Sequence, residues 1–169
     1  MTDFEKCFEN TVMLEGGYSD HPYDSGGKTK YGITESVAKS NGYLGDMKDL
    51  TLEFAKKIYK KDYWDANRLD ELNNFDIKAE IFDTGVNCGI KTAAKFMQKA
   101  YNLLSTSNFI AVDGIVGKET IKALNNFLKQ NRIVTVANAY QIKYYLEITE
   151  ANSKNKAFIF GWLDKRGKL

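Results

Sequence analysis

Residues 14–34, LEGGYSDHPYDSGGKTKYGIT, decide how this chain is read. Before them apolar residues recur at helical spacing; within them glycines accumulate and the periodicity is lost; after them helical stripes return. Glu15 stands directly before Gly16 and Gly17, a pair suited to ending a helix, so it is expected in the last turn of an opening helix. Thr2 and Glu5 have the spacing of a capping box at the start of that helix, and Phe4 and Phe8 lie on related faces. Residues 18–33 then predict a hairpin or loop.

Downstream, Thr34 is placed to cap a short helix that ends near Asn41 and Gly42. Thr51 caps a clearer one, with Leu52, Ala55, Ile58 and Tyr59 as its apolar stripe. Helices follow over 75–86, with Ile77, Ile81 and Phe82 inward, and over 92–104, through Ala93, Phe96, Met97, Ala100 and Leu104. The turn DGIVG at 113–117 leads into a helix carrying Ile121, Leu124 and Leu128. A long helix over 133–148 precedes the short aromatic segment FIFGW at 158–162. The expected fold class is mainly α, with a small β-hairpin or sheet after the first helix. Pro22 is the only proline and no Pro-, Gly- or Ser-rich linker divides the chain. One domain over 1–169 is expected, with 1–90 and 91–169 as lobes within it.

Composition narrows the class. The 169 residues are 43% hydrophobic and 27% charged, as in a soluble globular protein. A net charge of +2 is too small to mark a nucleic-acid binder. No apolar run approaches the roughly 20 residues of a membrane span, and Asp3, Glu5 and Glu9 replace the basic start of a signal peptide. Cys7 and Cys88 read as two buried thiols; a disulfide stays open, because spacing does not give its geometry. With His21 the single histidine, a His-rich zinc site is excluded.

The acids in the opening stretch admit two readings. Cleaving a glycosidic bond needs an acid to protonate the leaving oxygen and a second group to position water or stabilise positive charge. A helix C-terminus disfavours a carboxylate, and burial against Tyr18 or Tyr31 pushes the same way, so Glu15 is suited to holding a proton. Asp24, in DSGG, can face it across a cleft as the ionised partner, with Thr29 fixing the water. The structural alternatives carry more weight when these residues are taken alone. Glu15 then is an exposed helix-end carboxylate, Asp24 an Asx-turn acid, Thr29 a turn hydroxyl and Tyr31 a packed aromatic.

The run EGGYSDHPYDSGGKTKYGIT resembles the opening of glycoside hydrolase family 108, a group of phage and bacterial N-acetylmuramidases. Further matches are YKKDYWD at 59–65, FDTGVNCG at 82–89, DGIVGKET at 113–120 and FGWLDKR at 160–166, in order along nearly the whole chain. The resemblance implies a lysozyme-like fold, a catalytic acid at Glu15, and hydrolysis of the β-1,4 bond between N-acetylmuramic acid and N-acetylglucosamine. Water-positioning roles for Asp24 and Thr29 follow from the phage-type lysozymes, whose spacing around the glycine turn differs. Tyr18, Tyr31, Tyr63 and Asn87 are the candidate substrate contacts. For Tyr63, with Trp64, the alternative is core packing; for Asn87 it is holding a helix junction. Residues from about Phe96 to Phe127 look like a peptidoglycan-binding region, although DGIVG read alone is a structural turn.

This chemistry requires no metal or organic cofactor. The expected partner is the glycan strand of bacterial peptidoglycan, with no nucleic acid and no stable membrane insertion, and the protein is expected to be a monomer. An endolysin made in the host bacterial cytoplasm and released to the periplasm or wall through a separate pore fits the missing export signal. The rival readings are a lytic transglycosylase using Glu15 alone, and a noncatalytic wall-binding or export-accessory protein.

Overall fold

A computed structural model describes residues 1–12, 17–19 and 27–166. Helices dominate it, with a three-stranded antiparallel sheet near the N-terminus. The chain divides into two compact units, Met1–Ala66 and Asn67–Leu169.

In the first unit, α1 (Asp3–Val12) starts as the spacing predicts. The Thr2 backbone N–H donates to Glu5 Oε2 at 2.8 Å, and the Glu5 N–H donates to Thr2 Oγ1 at 3.2 Å. This reciprocal pair satisfies two donors that the helix start leaves open. Its inward face places the Phe4 ring 5.5 Å from Trp64 and the Phe8 ring 5.6 Å from Tyr59, both near edge-on. The sheet comprises β1 (Tyr18–Ser19), β2 (Thr29–Lys30) and β3 (Ile33–Thr34). Thr34 then caps α2 (Glu35–Ser40) by accepting the Val37 N–H, and Thr51 caps α3 (Leu52–Tyr59) by accepting that of Phe54.

α3 runs straight into a π-helical turn, Lys60–Asp65, in which the Ala66 N–H donates to Lys61 O. The wider turn rotates the side chains relative to an α-helix. Trp64 becomes fully buried, whereas Tyr63 stays half-buried. Trp64 is therefore a core residue here, not a face for sugar stacking.

The second unit is built on α4 (Phe75–Cys88), α5 (Ile90–Leu104) and α7 (Gln130–Ala151), which pack on one another. Asn74 caps α4 by accepting the Ile77 N–H at 3.0 Å. Gly89, at φ 88°, ends α4 and begins α5; only glycine adopts that conformation without strain, so two helices join through one residue. Ile81 and Phe82 are fully buried, each contributing about 1.5–3 kcal/mol from burial. Ala93, Ala94 and Ala100 keep the facing side of α5 small. Tyr145 of α7 is buried against Trp162 of α8 (Ile159–Arg166), with ring centroids 5.1 Å apart.

Two expectations change. α6 (Lys118–Asn126) buries Ile121 and Leu124, but Leu128 is fully exposed. The helix stops at Asn126 and Phe127 is extended, so Leu128 never reaches the i+4 position that periodicity assumes; Phe127 turns to the Tyr101 ring instead, at 5.7 Å. Cys7 is buried, but Cys88 is half-buried, with its Sγ 3.8 Å from the Tyr145 hydroxyl; neither cysteine is in a disulfide.

Candidate active site

Glu15 and Asp24 lie outside the described residues; by sequence they fall on either side of β1. What the structure gives is the sheet whose strands neighbour them in sequence. β1 pairs with β2 through Tyr18–Lys30 and Ser19–Thr29, and β2 with β3 through Lys30–Ile33 and Thr29–Thr34. Directly opposed residues share a sheet face. Thr29 thus stands with Ser19 and Thr34 on one face, and Tyr18 with Lys30 and the buried Ile33 on the other. Two of the sequence-predicted residues, Thr29 and Tyr18, are on adjacent strands but opposite faces. The Thr29 hydroxyl donates to Gly27 O at 3.1 Å, which commits its proton and leaves its oxygen able to accept.

The β2–β3 connection is a two-residue turn with both residues left-handed, Tyr31 at φ 52° and Gly32 at φ 73°. That geometry matches the right-handed twist of the flanking strands, and Asn-Gly is its usual sequence. A bulky residue at the first position is strained. The strain is held from α3: the buried Tyr59 hydroxyl donates to Tyr31 O at 3.0 Å. The Tyr59 ring in turn lies 5.3 Å from that of Tyr63. The structure therefore connects two predicted substrate contacts, Tyr31 and Tyr63, through Tyr59, which the sequence suggested only as part of an apolar stripe. Burial, and then the neighbouring Asp62, push the Tyr63 phenol above its usual range, so it remains a hydrogen-bond donor.

Two lysines complete the Tyr18 face. Lys48 Nζ lies 5.7 Å from the Tyr18 ring centre and Lys30 Nζ 5.4 Å from that of Tyr31, while the Lys30 ammonium donates to Lys48 O. Asp46 fixes the Lys48 backbone by accepting its N–H at 2.8 Å, and this bond holds the Asp46 carboxyl below its ordinary range. Sequence reading missed Lys30 and Lys48, whose place depends on strand register. Asn87 belongs to the second unit, where its amide donates to the Tyr145 hydroxyl. Among the described residues, no group of three or more His, Cys, Asp or Glu side chains gathers that could hold a metal ion. No helix among them is long and apolar enough to cross a membrane.

Residues 8–89, which include this sheet and the stretch that carries Glu15, match the glycosyl hydrolase 108 family. The chain carries a glycosyl hydrolase 108 domain. Residues 92–167 match a predicted peptidoglycan domain, so the two matches together span nearly all of it. Among solved structures, the chain is similar to the structure of Brucella abortus SagA, at 26% identity and a TM-score of 0.78, covering 97% of this chain and 89% of that one. No curated protein sequence matches it. The two matches make this a glycosyl hydrolase of the peptidoglycan-directed kind. They also meet at a different place from the compact units: α4 falls in the 108 match but in the second unit.

Proposed function

We propose that the protein is a lysozyme-like N-acetylmuramidase that hydrolyses the β-1,4 bond between N-acetylmuramic acid and N-acetylglucosamine. The observation that carries this reading is the glycosyl hydrolase 108 match over residues 8–89, which includes the Glu-Gly-Gly-Tyr run at 15–18. Glu15 is the general acid, protonating the departing glycosidic oxygen. Asp24 favours attack by water, and the Thr29 oxygen, its own proton committed to Gly27 O, accepts a hydrogen bond from that water. Tyr18, Tyr31, Tyr63 and Asn87 contact the glycan, residues 1–90 serving as the catalytic lobe and 91–169 as the wall-binding one. The protein acts as a monomer, as an endolysin held in the host bacterial cytoplasm until a separate pore releases it.

Muropeptide mass spectrometry of purified wall, digested with wild type and Glu15→Gln side by side, tests bond, reaction and acid together. The expected outcome is reducing ends at muramic acid carrying one added water, and no cleavage by the variant. Anhydro ends would establish a transglycosylase instead. Unchanged cleavage by Glu15→Gln would remove Glu15 from the mechanism, and binding without cleavage by wild type would leave a noncatalytic wall protein.

A further inference from the structure

The loop between α5 and α6 combines rigidity with exposed apolar side chains. Three α5 residues clamp it. Buried Gln98 donates to Asp113 Oδ1 at 2.8 Å and to Ile115 O at 3.0 Å, and accepts the Gly114 N–H at 3.0 Å. The Tyr101 hydroxyl donates to Asn108 O at 3.3 Å. Asn102 binds both backbone groups of Ile110, donating to its oxygen at 2.8 Å and accepting its N–H at 2.9 Å. The loop nevertheless leaves Phe109 67% and Ile115 61% exposed. Fixing a loop with buried and half-buried amides while its apolar side chains face water is how a binding surface is preorganised.

Those side chains border a groove. One hollow of about 430 Å³ lies among Tyr101, Asn108, Lys122, Asn126 and Phe127; a second, of about 350 Å³, lies among Phe109, Ile115 and Lys118. Ile110 and Glu119 belong to the walls of both, so the hollows adjoin. Each has the size of a small-ligand site. We propose that this groove binds the peptide stem of peptidoglycan, a short chain with methyl side chains, free carboxylates and a free amine.

Charge decides for peptide over glycan. Glu119 stands between Lys118 and Lys122 in sequence at the start of α6, and all three are exposed. A ligand that satisfies both signs must itself carry an amine and carboxylates, which a neutral pyranose chain does not. Asn108 and Asn126 match peptide amides, and Phe109 with Ile115 match the methyl groups. Tyr101 is buried with Phe127 edge-on to it at 69°, so the deep wall offers no open ring face on which a sugar could stack. The proposal rests on the peptidoglycan reading above and adds the site and the moiety that occupies it.

The test titrates isotope-labelled full-length protein with a synthetic stem tetrapeptide and, separately, with an N-acetylglucosamine tetramer, following backbone amide shifts. The peptide is expected to move the amides of Asn108, Ile110, Glu119, Lys122 and Asn126 saturably, and the sugar to leave them in place. Ala123→Trp, on the groove wall, should abolish the peptide shifts. Glu119→Lys should weaken binding about fivefold, the upper end for an exposed ion pair. The proposal falls if millimolar peptide moves none of these amides, if the sugar moves the same ones, or if both variants bind as wild type does. Wall cleavage by the same preparations separates this from the hydrolase reading. A protein that cleaves wall yet ignores the stem refutes the groove alone. One that binds the stem while Glu15→Gln still cleaves refutes the acid alone.

Discussion

Replacing Gly32 by alanine tests the frame of the candidate site most directly. Gly32 sits at φ 73°, where an L side chain costs about 1–2 kcal/mol. Its new Cβ would also lie 2.5 Å from the Tyr59 hydroxyl oxygen, well inside contact distance. The phenol must move, and it then loses its part-buried 3.0 Å bond to Tyr31 O, a further ~1 kcal/mol. A stiffer unfolded chain offsets about 0.4–1 kcal/mol of this. The expected loss is about 2 kcal/mol. Tyr59→Phe alone should cost about 1 kcal/mol, through the same hydrogen bond. In Gly32→Ala/Tyr59→Phe the obstructing hydroxyl is gone, so the two costs should fall short of additivity by about 1 kcal/mol. Urea unfolding followed by the fluorescence of fully buried Trp64, in a Trp162→Phe background, reads the first unit. Gly17→Ala, where an added Cβ meets nothing within 4 Å, is the control. A loss below about 0.5 kcal/mol, or strict additivity in the cycle, would refute the argument.

Three further outcomes follow from particular contacts. Tyr31→Asn restores the residue that a left-handed first turn position prefers and should raise stability by roughly 0.5–1 kcal/mol while lowering wall cleavage; a gain in both would deny Tyr31 a substrate contact. Glu5 accepts the Thr2 N–H and then the Lys56 ammonium, which lowers its pKa from 4.5 to about 2. A depressed carboxylate contributes stability present above its unfolded pKa and lost as pH falls through the folded one. Thermal midpoints of wild type should therefore drop more than those of Glu5→Gln between pH 4.5 and about 2; parallel curves would contradict the pairing. Finally, a fragment of residues 1–90 keeps α4 but lacks α5 and α7, which pack on it. Its α4 amides should exchange freely and it should bind a hydrophobic dye, whereas protected α4 amides would show that the helix folds without those partners.

The local signals were legible without coordinates because they are local. A capping box at Thr2 and Glu5, caps at Thr34 and Thr51, and the stripes of α3, α4 and α5 depend on residues three or four apart, and each is found where its spacing puts it, save that Leu52 and Leu104 at the helix ends are only half-buried. Where a helix stops is less local, and Leu128 shows the cost: periodicity carried it inward past the end of α6. The family resemblance was likewise a property of ordered motifs, and the 8–89 match bears it out. Tertiary structure alone decided what depends on register and on distant partners. Strand pairing put Thr29 and Tyr18 on opposite faces, a π-helical turn buried Trp64 beside Phe4, and Tyr59 held Tyr31 in a conformation its own side chain opposes. The groove beside α6 is of the same kind: Gln98, Tyr101 and Asn102 reach across 7 to 17 residues of sequence to shape it. Sequence spacing carries no account of such closures, because the free energy that makes them comes from surfaces that meet only when the chain folds.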